Sequence, residues 1–378
     1  MSARAADVII VGGGIMGAAT AFFLAKRGRS VVLLERDLVG QYASGTNFGN
    51  VRRQGRFLPQ LPLANRSREI WGRLPALIGE DAEFLPSGHV RVAFNRDDAD
   101  LLESYAHDAR SYDLDLEILS GNALRDRFPF LSTQAVAGSY SPLDGHANPR
   151  LAAPAFGRAA RRSGALVMET TEVVAIEKTG EDFLVETRGA GVFRAPALQI
   201  SAGAWAGALS ARFGEAVPLA AHGPQMGVTE PVPYGIEPVL GVSTKVAEEV
   251  VYLRQVKRGN IVFGGGLRGP ASLETCRANV DPANTLRQIP QLRRLLPAIG
   301  RLNVIRTWSG VEGYLSDDLP VMGPSAKVSG LFYAFGFCGH GFQLGPGVGD
   351  VMAELIDTGR SATPIEPFLI SRFSSAPA

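Results

Sequence analysis

Apolar and polar residues follow two rhythms along this chain, and glycine-rich turns stand where one gives way to another. Val8-Ile9-Ile10-Val11 is an unbroken apolar run that reads as a strand buried on both faces. Gly12, Gly14 and Gly17 follow it, residues 18–26 supply good helix formers, and Gly28 sits where a helix stops. Residues 30–34 are a second apolar run, closing on Glu35, 21 positions after Gly14. Helical spacing predicts further helices over 63–77, 97–112 and 151–163, and over 348–356 with Gly359 after the last turn. Alternation predicts a half-exposed strand over 88–94.

Strand patterns recur at 166–168, 172–177, 183–187 and 198–201. From 218 to 302 the chain turns β-rich, with a strand at 225–230. A hairpin is expected there, with strands 250–254 and 261–264 around Lys257-Arg258-Gly259-Asn260. Residues 285–296 read as a helix interrupted at Pro290. An apolar strand over 331–336 then runs into a second glycine-rich turn, residues 337–347. The pattern predicts an α/β protein: a Rossmann-like domain from 1–70, 141–215 and 303–378, with an inserted β-rich substrate domain from 71–140 and 216–302.

Strand, G-x-G-x-x-G turn, helix, strand and terminal acid within one βαβ unit form a dinucleotide site. Gly12 permits the tight turn, Gly14 lets backbone approach a pyrophosphate, and Gly17 allows close helix–strand packing. The helix start points free N–H groups and a positive dipole end at phosphates. Glu35 can accept ribose hydroxyls. A second glycine-loop-to-helix device, some 320 residues later, suits a long ligand with two poles; FAD carries a pyrophosphate and an electron-accepting ring. Residues 40–53, rich in small residues, amides and hydroxyls, read as a ligand-lining loop ending in Arg52 and Arg53.

Composition narrows the classes. With 378 residues, 38 basic against 37 acidic and a net charge of +1, nothing electrostatic points to nucleic acid or an anionic membrane. The uncharged stretch 8–25 has transmembrane length, but its central glycines and its nucleotide grammar argue against a span. No signal-peptide pattern precedes it. Cys276 and Cys338 make no disulfide framework and show no metal-ligand spacing, so a reducing cytoplasm and no metal are expected.

These residues resemble the glycine/D-amino-acid oxidase-type flavoenzymes, which include sarcosine oxidases and the β subunits of opine and hydroxyproline dehydrogenases. The resemblance spans nearly the whole chain. It rests on Gly12-x-Gly14-x-x-Gly17 with Glu35, Ala43-Ser44-Gly45-Thr46-Asn47-x-Gly49, Ser201-Ala202-Gly203-Ala204-Trp205, and Gly336-Phe337-Cys338-Gly339-His340-Gly341-Phe342. It implies FAD and hydride removal from a carbon beside an amine nitrogen, giving an imine that water hydrolyses. By the family pattern Gly12, Gly14, Ile15, Met16, Gly17 and Arg36 hold the pyrophosphate, Glu35 the ribose, and Val174 meets the adenine side. Ser44, Gly45, Thr46, Asn47, Gly49, Asn50 and Val51, with Gly339, His340, Gly341, Phe342 and Gln343, surround the flavin. Ala202, Gly203, Trp205 and Gly310 complete the cofactor set.

Three departures from the family matter. No cysteine occupies Trp308-Ser309-Gly310-Val311-Glu312-Gly313, where some relatives attach FAD covalently, so non-covalent FAD is expected. Several relatives place a carboxylate-binding arginine near Glu312; that role moves to Arg53, Arg254 or Tyr252, and Glu312 faces a cationic part of the substrate or pairs with an arginine such as Arg306. Strand 261–267 lacks the lysine that speeds reaction with O₂ in sarcosine oxidases. A dehydrogenase that feeds another acceptor or a partner subunit is therefore expected.

Of Arg52 and Arg53, neighbours on extended backbone, at most one reaches substrate, and Arg53 is the one expected there. His340 is expected at the flavin, with no firm catalytic base, and His222 in a loop. The expected substrate is a secondary amine such as an N-substituted or cyclic amino acid. The alternatives are a peroxide-producing amino-acid oxidase and a flavin-bearing electron-transfer subunit.

Overall fold

The computed structural model describes residues 3–373. Val8–Val11 lies inside a six-stranded sheet ordered Val321–Pro324, Leu331–Phe335, Ala197–Ile200, Val8–Val11, Val31–Leu34, Leu166–Met168. All neighbours are parallel except Val321–Pro324, an antiparallel edge. Both faces of a parallel sheet are covered, so its strands are written as continuous apolar runs. Ile9, Ile10 and Leu33 have no exposed surface.

Helices Ile15–Lys26, Pro149–Arg162 and Gly341–Thr358 cover one face. The first is buried on every side from Ile15 to Ala25, because it is wedged between the sheet and the other two. A Cβ on Gly345 would stand 2.6 Å from Ile15 Cγ2, and one on Gly349 would collide with Ala19. Glycine there allows the two nucleotide-site helices to pack backbone to backbone. A small sheet of Arg4–Ala5, Gly191–Ala195, Asp182–Thr187 and Val173–Thr179 closes the opposite face with Phe183, Val185 and Phe193.

A separate eight-stranded sheet runs Val304–Ser309, Gln225–Pro231, Asn260–Gly265, Val251–Gln255, Val239–Val242, His89–Ala93, Ala137–Ser141, Glu117–Ser120. Val90, Val92, Leu253 and Phe263 pack on one of its faces against Leu292 and Leu295 of helix Pro282–Leu295. That helix passes through Pro290 unbroken, contrary to the expected interruption. The ring displaces the hydrogen bond to the carbonyl of Leu286. Leu286 is exposed, so water can serve that carbonyl.

Two boundaries shift from the sequence expectation. Strand Val304–Ser309 pairs with Gln225–Pro231 and so belongs to the eight-stranded sheet, not to the nucleotide-binding part. Trp71, assigned to the insertion, donates from Nε1 to Gln343 O at 2.8 Å and lies in the helical core of the six-stranded sheet. Among the described residues no helix is long and apolar enough to cross a membrane.

Candidate active site

The turn after Val8–Val11 is shaped by what a side chain would strike. Gly12 has φ +104°, and a Cβ there would stand 2.5 Å from Ser201 O. Only glycine meets both demands. A Cβ on Gly17 would collide with the Gly12 carbonyl, so Gly17 lets the helix sit directly on the turn. The turn opens into a cavity of about 670 Å³ that passes Gly12, Gly14, Ile15, Met16, Glu35, Arg36, Ser44 and Trp205. It extends to Tyr252, Glu312 and the segment from Gly336 to Gln343.

At the nucleotide end, Glu35 accepts from the Gly13 N–H at 2.6 Å and the Asp37 N–H at 2.8 Å. Burial holds its carboxyl above the usual range, and those two N–H groups oppose the shift. Ser44 Oγ accepts from Ile15 N–H at 2.9 Å, and the first turn of the helix carries no acid. Arg36 stacks on Trp205 at 4.6 Å and Tyr42 at 5.3 Å while pairing with Asp37 at 3.1 Å. Farther along, Asn50 Oδ1 and Gln343 Oε1 are buried acceptors without a partner. An acid-free helix start at one end and orphaned acceptors at the other fit a ligand with an anionic bridge and a ring bearing N–H donors.

The other end is strongly charged. Arg52, Arg56 and Arg91 line the cavity together with His89 and His340. Arg52 donates to the Gln54 carbonyl; Arg56 donates to Arg52 O at 2.9 Å, Gln60 Oε1 at 3.2 Å and His340 Nδ1 at 3.1 Å. Burial brings Arg56 down to about 9 and Arg91 down to about 10, with Arg52 adding repulsion to each. His340, desolvated and facing Arg56, titrates well below the usual histidine range. It is neutral at pH 7, and accepting on Nδ1 places its proton on Nε2.

Glu312 lies among opposite partners. It accepts from Tyr314 Oη at 2.8 Å and from the Gly339 N–H at 2.8 Å, and burial raises its pKa. Arg268, also on the cavity, stacks over the Tyr314 ring at 3.8 Å. Tyr252 feels both Glu312 and Arg52, and burial keeps its hydroxyl protonated. Helix Gly341–Thr358 starts beside this group, at His340.

Several expected positions lie elsewhere. Arg53 is off the cavity: its Nε donates to fully buried Asp144 at 3.1 Å and its Nη1 to Asn65 at 3.2 Å. Neighbours on extended backbone face opposite ways, so Arg52 is the one directed inward. Arg254 donates to Phe48 O at 2.7 Å and is also removed from the cavity. Val174 is exposed while its neighbour Val173 lines the nucleotide end, a difference of one residue that reverses the face. Gly17, Gly45, Thr46, Val51 and Gly310 shape the walls from behind; a Cβ on Gly310 would collide with Thr46.

Gly49, Asn47, Asn50, Ala202, Gly203, Gly339, Gly341, Phe342 and Gln343 border the cavity directly. Glu312 makes no contact with Arg306, which is paired across strands with Val228. His222 lies on strand Ala220–Gly223, edge-on to Tyr314, rather than in a loop. Arg56, Arg91 and Arg268 were not anticipated. Arg91 carried a readable signal, a charge between two buried valines on an alternating strand. Arg56 and Arg268 sit in irregular segments and carried none.

The family model described as FAD dependent oxidoreductase, DAO, matches residues 7–355. A glycine oxidase of Geobacillus kaustophilus is 31% identical, with 97% of each chain covered. One of the subunits of an opine oxidase from Rhizobium meliloti is 26% identical over 98% of this chain and 99% of its own. The crystal structure of L-proline dehydrogenase from P. horikoshii superposes with a TM-score of 0.91 at 25% identity, covering 99% of both chains. With the cavity built as described, the chain belongs to the DAO family of FAD-dependent oxidoreductases and is an enzyme acting on the CH–NH bonds of amino acids or amines.

Proposed function

We propose that the enzyme oxidises a secondary-amine amino acid, N-substituted or cyclic, with FAD held non-covalently, and delivers the electrons to an acceptor other than O₂. FAD, when bound, supplies the hydride acceptor. The supporting observation is one cavity lined by Arg52, Glu312 and Tyr252 together. Arg52 takes the substrate carboxylate, and Glu312 accepts an N–H of the amine. Holding both groups fixes the intervening carbon and its hydrogen in one orientation. Tyr252 and neutral His340 line the same space without needing to move a proton.

Two observations support the finer points. Cys338 lines the cavity, but burial pushes its thiol up to about 11, and it is tied to Gly336 O at 3.1 Å and Leu315 N at 3.3 Å. Such a thiol is a poor nucleophile. No lysine borders the cavity among the described residues. An oxidase is the second reading, favoured by Arg268 as a fixed cation on the cavity wall and by the glycine oxidase relative. A separate protein chain as electron acceptor is in keeping with the opine oxidase relative, which is itself one part of a larger enzyme.

Anaerobic mixing with a panel of primary, N-alkylated and cyclic amino acids tests the reaction. Bleaching of the flavin band by a secondary amine is expected; no bleaching by any member would refute the reading. Acid denaturation should release the yellow chromophore into the supernatant. Stoichiometric peroxide during aerobic turnover would replace dehydrogenase by oxidase.

A further inference from the structure

The substrate end of the cavity holds more positive charge than a simple amino acid neutralises. A Cβ on Gly55 would touch the Arg91 guanidinium and stand 3.0 Å from Arg52 Nη1, so these two like charges converge on one place. Arg56 is joined to Arg52 through its carbonyl. Every acceptor these three guanidinium groups meet is neutral: main-chain oxygens, Gln60 and the His340 ring. Among the described residues none of them forms an ion pair, and no hydrogen bond is made by the Arg91 side chain. Of the nearby acids, Asp144 is bound by Arg53 and Glu312 by Tyr314 and Gly339; Asp98, held by Asn95 Nδ2 at 2.7 Å, acts on Arg91 from a distance without an ion pair or hydrogen bond to it.

The strand carrying Arg91 gives this placement meaning. Val90 and Val92 are fully buried in the core of the eight-stranded sheet, so Arg91 stands on its other face, toward the cavity. His89 Nδ1 accepts from Gln54 Nε2 at 2.8 Å, and burial among arginines keeps it uncharged. Three unpaired cations in a low-dielectric wall repel one another unless a ligand brings the counter-charge. A monocarboxylic amino acid brings one negative charge to the arginines and its nitrogen to Glu312. Two cations then remain unmatched.

We propose that the preferred substrate is an amine bearing two carboxylates, both received by the Arg52–Arg56–Arg91 cradle, with the amine nitrogen at Glu312. This rests on the reaction class given above and names its substrate more closely: an N-substituted amino acid whose substituent or side chain ends in a second acid group. Bidentate guanidinium–carboxylate pairs give the second group both strength and orientation.

The test uses the FAD-loaded enzyme and unreactive probes, so it stands apart from turnover. Thiodiacetate, with two carboxylates, is compared with (methylthio)acetate, with one, by titrating the shift of the flavin visible band at neutral pH. At least about tenfold tighter binding of thiodiacetate is expected, the scale of one charge-assisted pair. Arg91→Gln should reduce that ratio to about threefold or less. Arg91→Lys, which keeps the charge if the first variant fails to fold, should hold part of it. Equal affinities in the unaltered enzyme would overturn the proposal. So would a ratio undiminished in Arg91→Gln or, where that variant loses FAD, undiminished in Arg91→Lys. If the probes discriminate as expected while no amine bleaches the flavin, the cradle stands and the assigned reaction falls.

Discussion

The two ends of the cavity are built by opposite means. At the nucleotide end, Gly12, Gly14, Ile15, Met16 and Glu35 come from one βαβ unit of fewer than 30 residues, and backbone groups do most of the work. At the other end, Arg52, Arg91, Tyr252, Arg268, Glu312 and His340 arrive from six separated segments, and charged side chains line much of the wall. A backbone site needs few residue identities but strict geometry. The side-chain site relies on identities that pairing between distant strands brings together. On the proposed function, the first fixes what cofactor binds, and the second is free to change what is oxidised.

That contrast is breakable by mutation, and the largest effect is expected at the backbone end. Gly12→Val places a branched side chain at φ +104° against Ser201 O. Protein purified without flavin absorbance and with a clearly lowered melting temperature is expected. A yellow, normally melting variant would show that the turn tolerates what sterics forbid.

Next in size are two neighbours with different tasks. Arg53→Ala strips fully buried Asp144 of its partner and should cost about 3–5 kcal/mol of stability, measured by denaturant unfolding. Arg52→Gln should instead leave stability nearly intact and lower kcat/KM by about a hundredfold, mostly through KM. Exchange of these two phenotypes would place Arg53, not Arg52, in the pocket.

The smallest effect concerns Glu312. Its folded pKa is raised by burial, so between its unfolded value and that raised value the native state holds more protons than the unfolded chain. Stability contributed by this group is greatest at low pH and falls as pH rises through that window. Glu312→Gln should therefore gain melting temperature relative to the parent as pH increases, while losing the acidic limb of the kcat/KM profile. A pH-independent difference would show that Glu312 is not held in the raised state.

The legible part of the site follows the same division. Glu35 and the glycine turn were readable because spacing within one unit carries the geometry. Glu312 was readable as a departure from a pattern, but its partners, Tyr314 and the Gly339 N–H, were not, since the second lies 27 residues away. Arg53 was preferred over Arg52 although extended backbone allowed only one of them inward. The choice depends on Asp144, which reaches the chain at 53 only through folding. Val173 and Val174 were separated by the same kind of ambiguity, a face that one residue reverses.

The sequence alone determined the nucleotide-binding unit, the helices and strands around it, and membership of a flavoenzyme class. These depend on interactions between residues close in the chain or on apolar periodicity, which the order of residues records directly. Only the tertiary structure decided which arginines face the cavity and which are tied away from it. Whether a charge is free or paired is set by groups contributed from other sheets, and their distance along the chain carries no trace of that meeting.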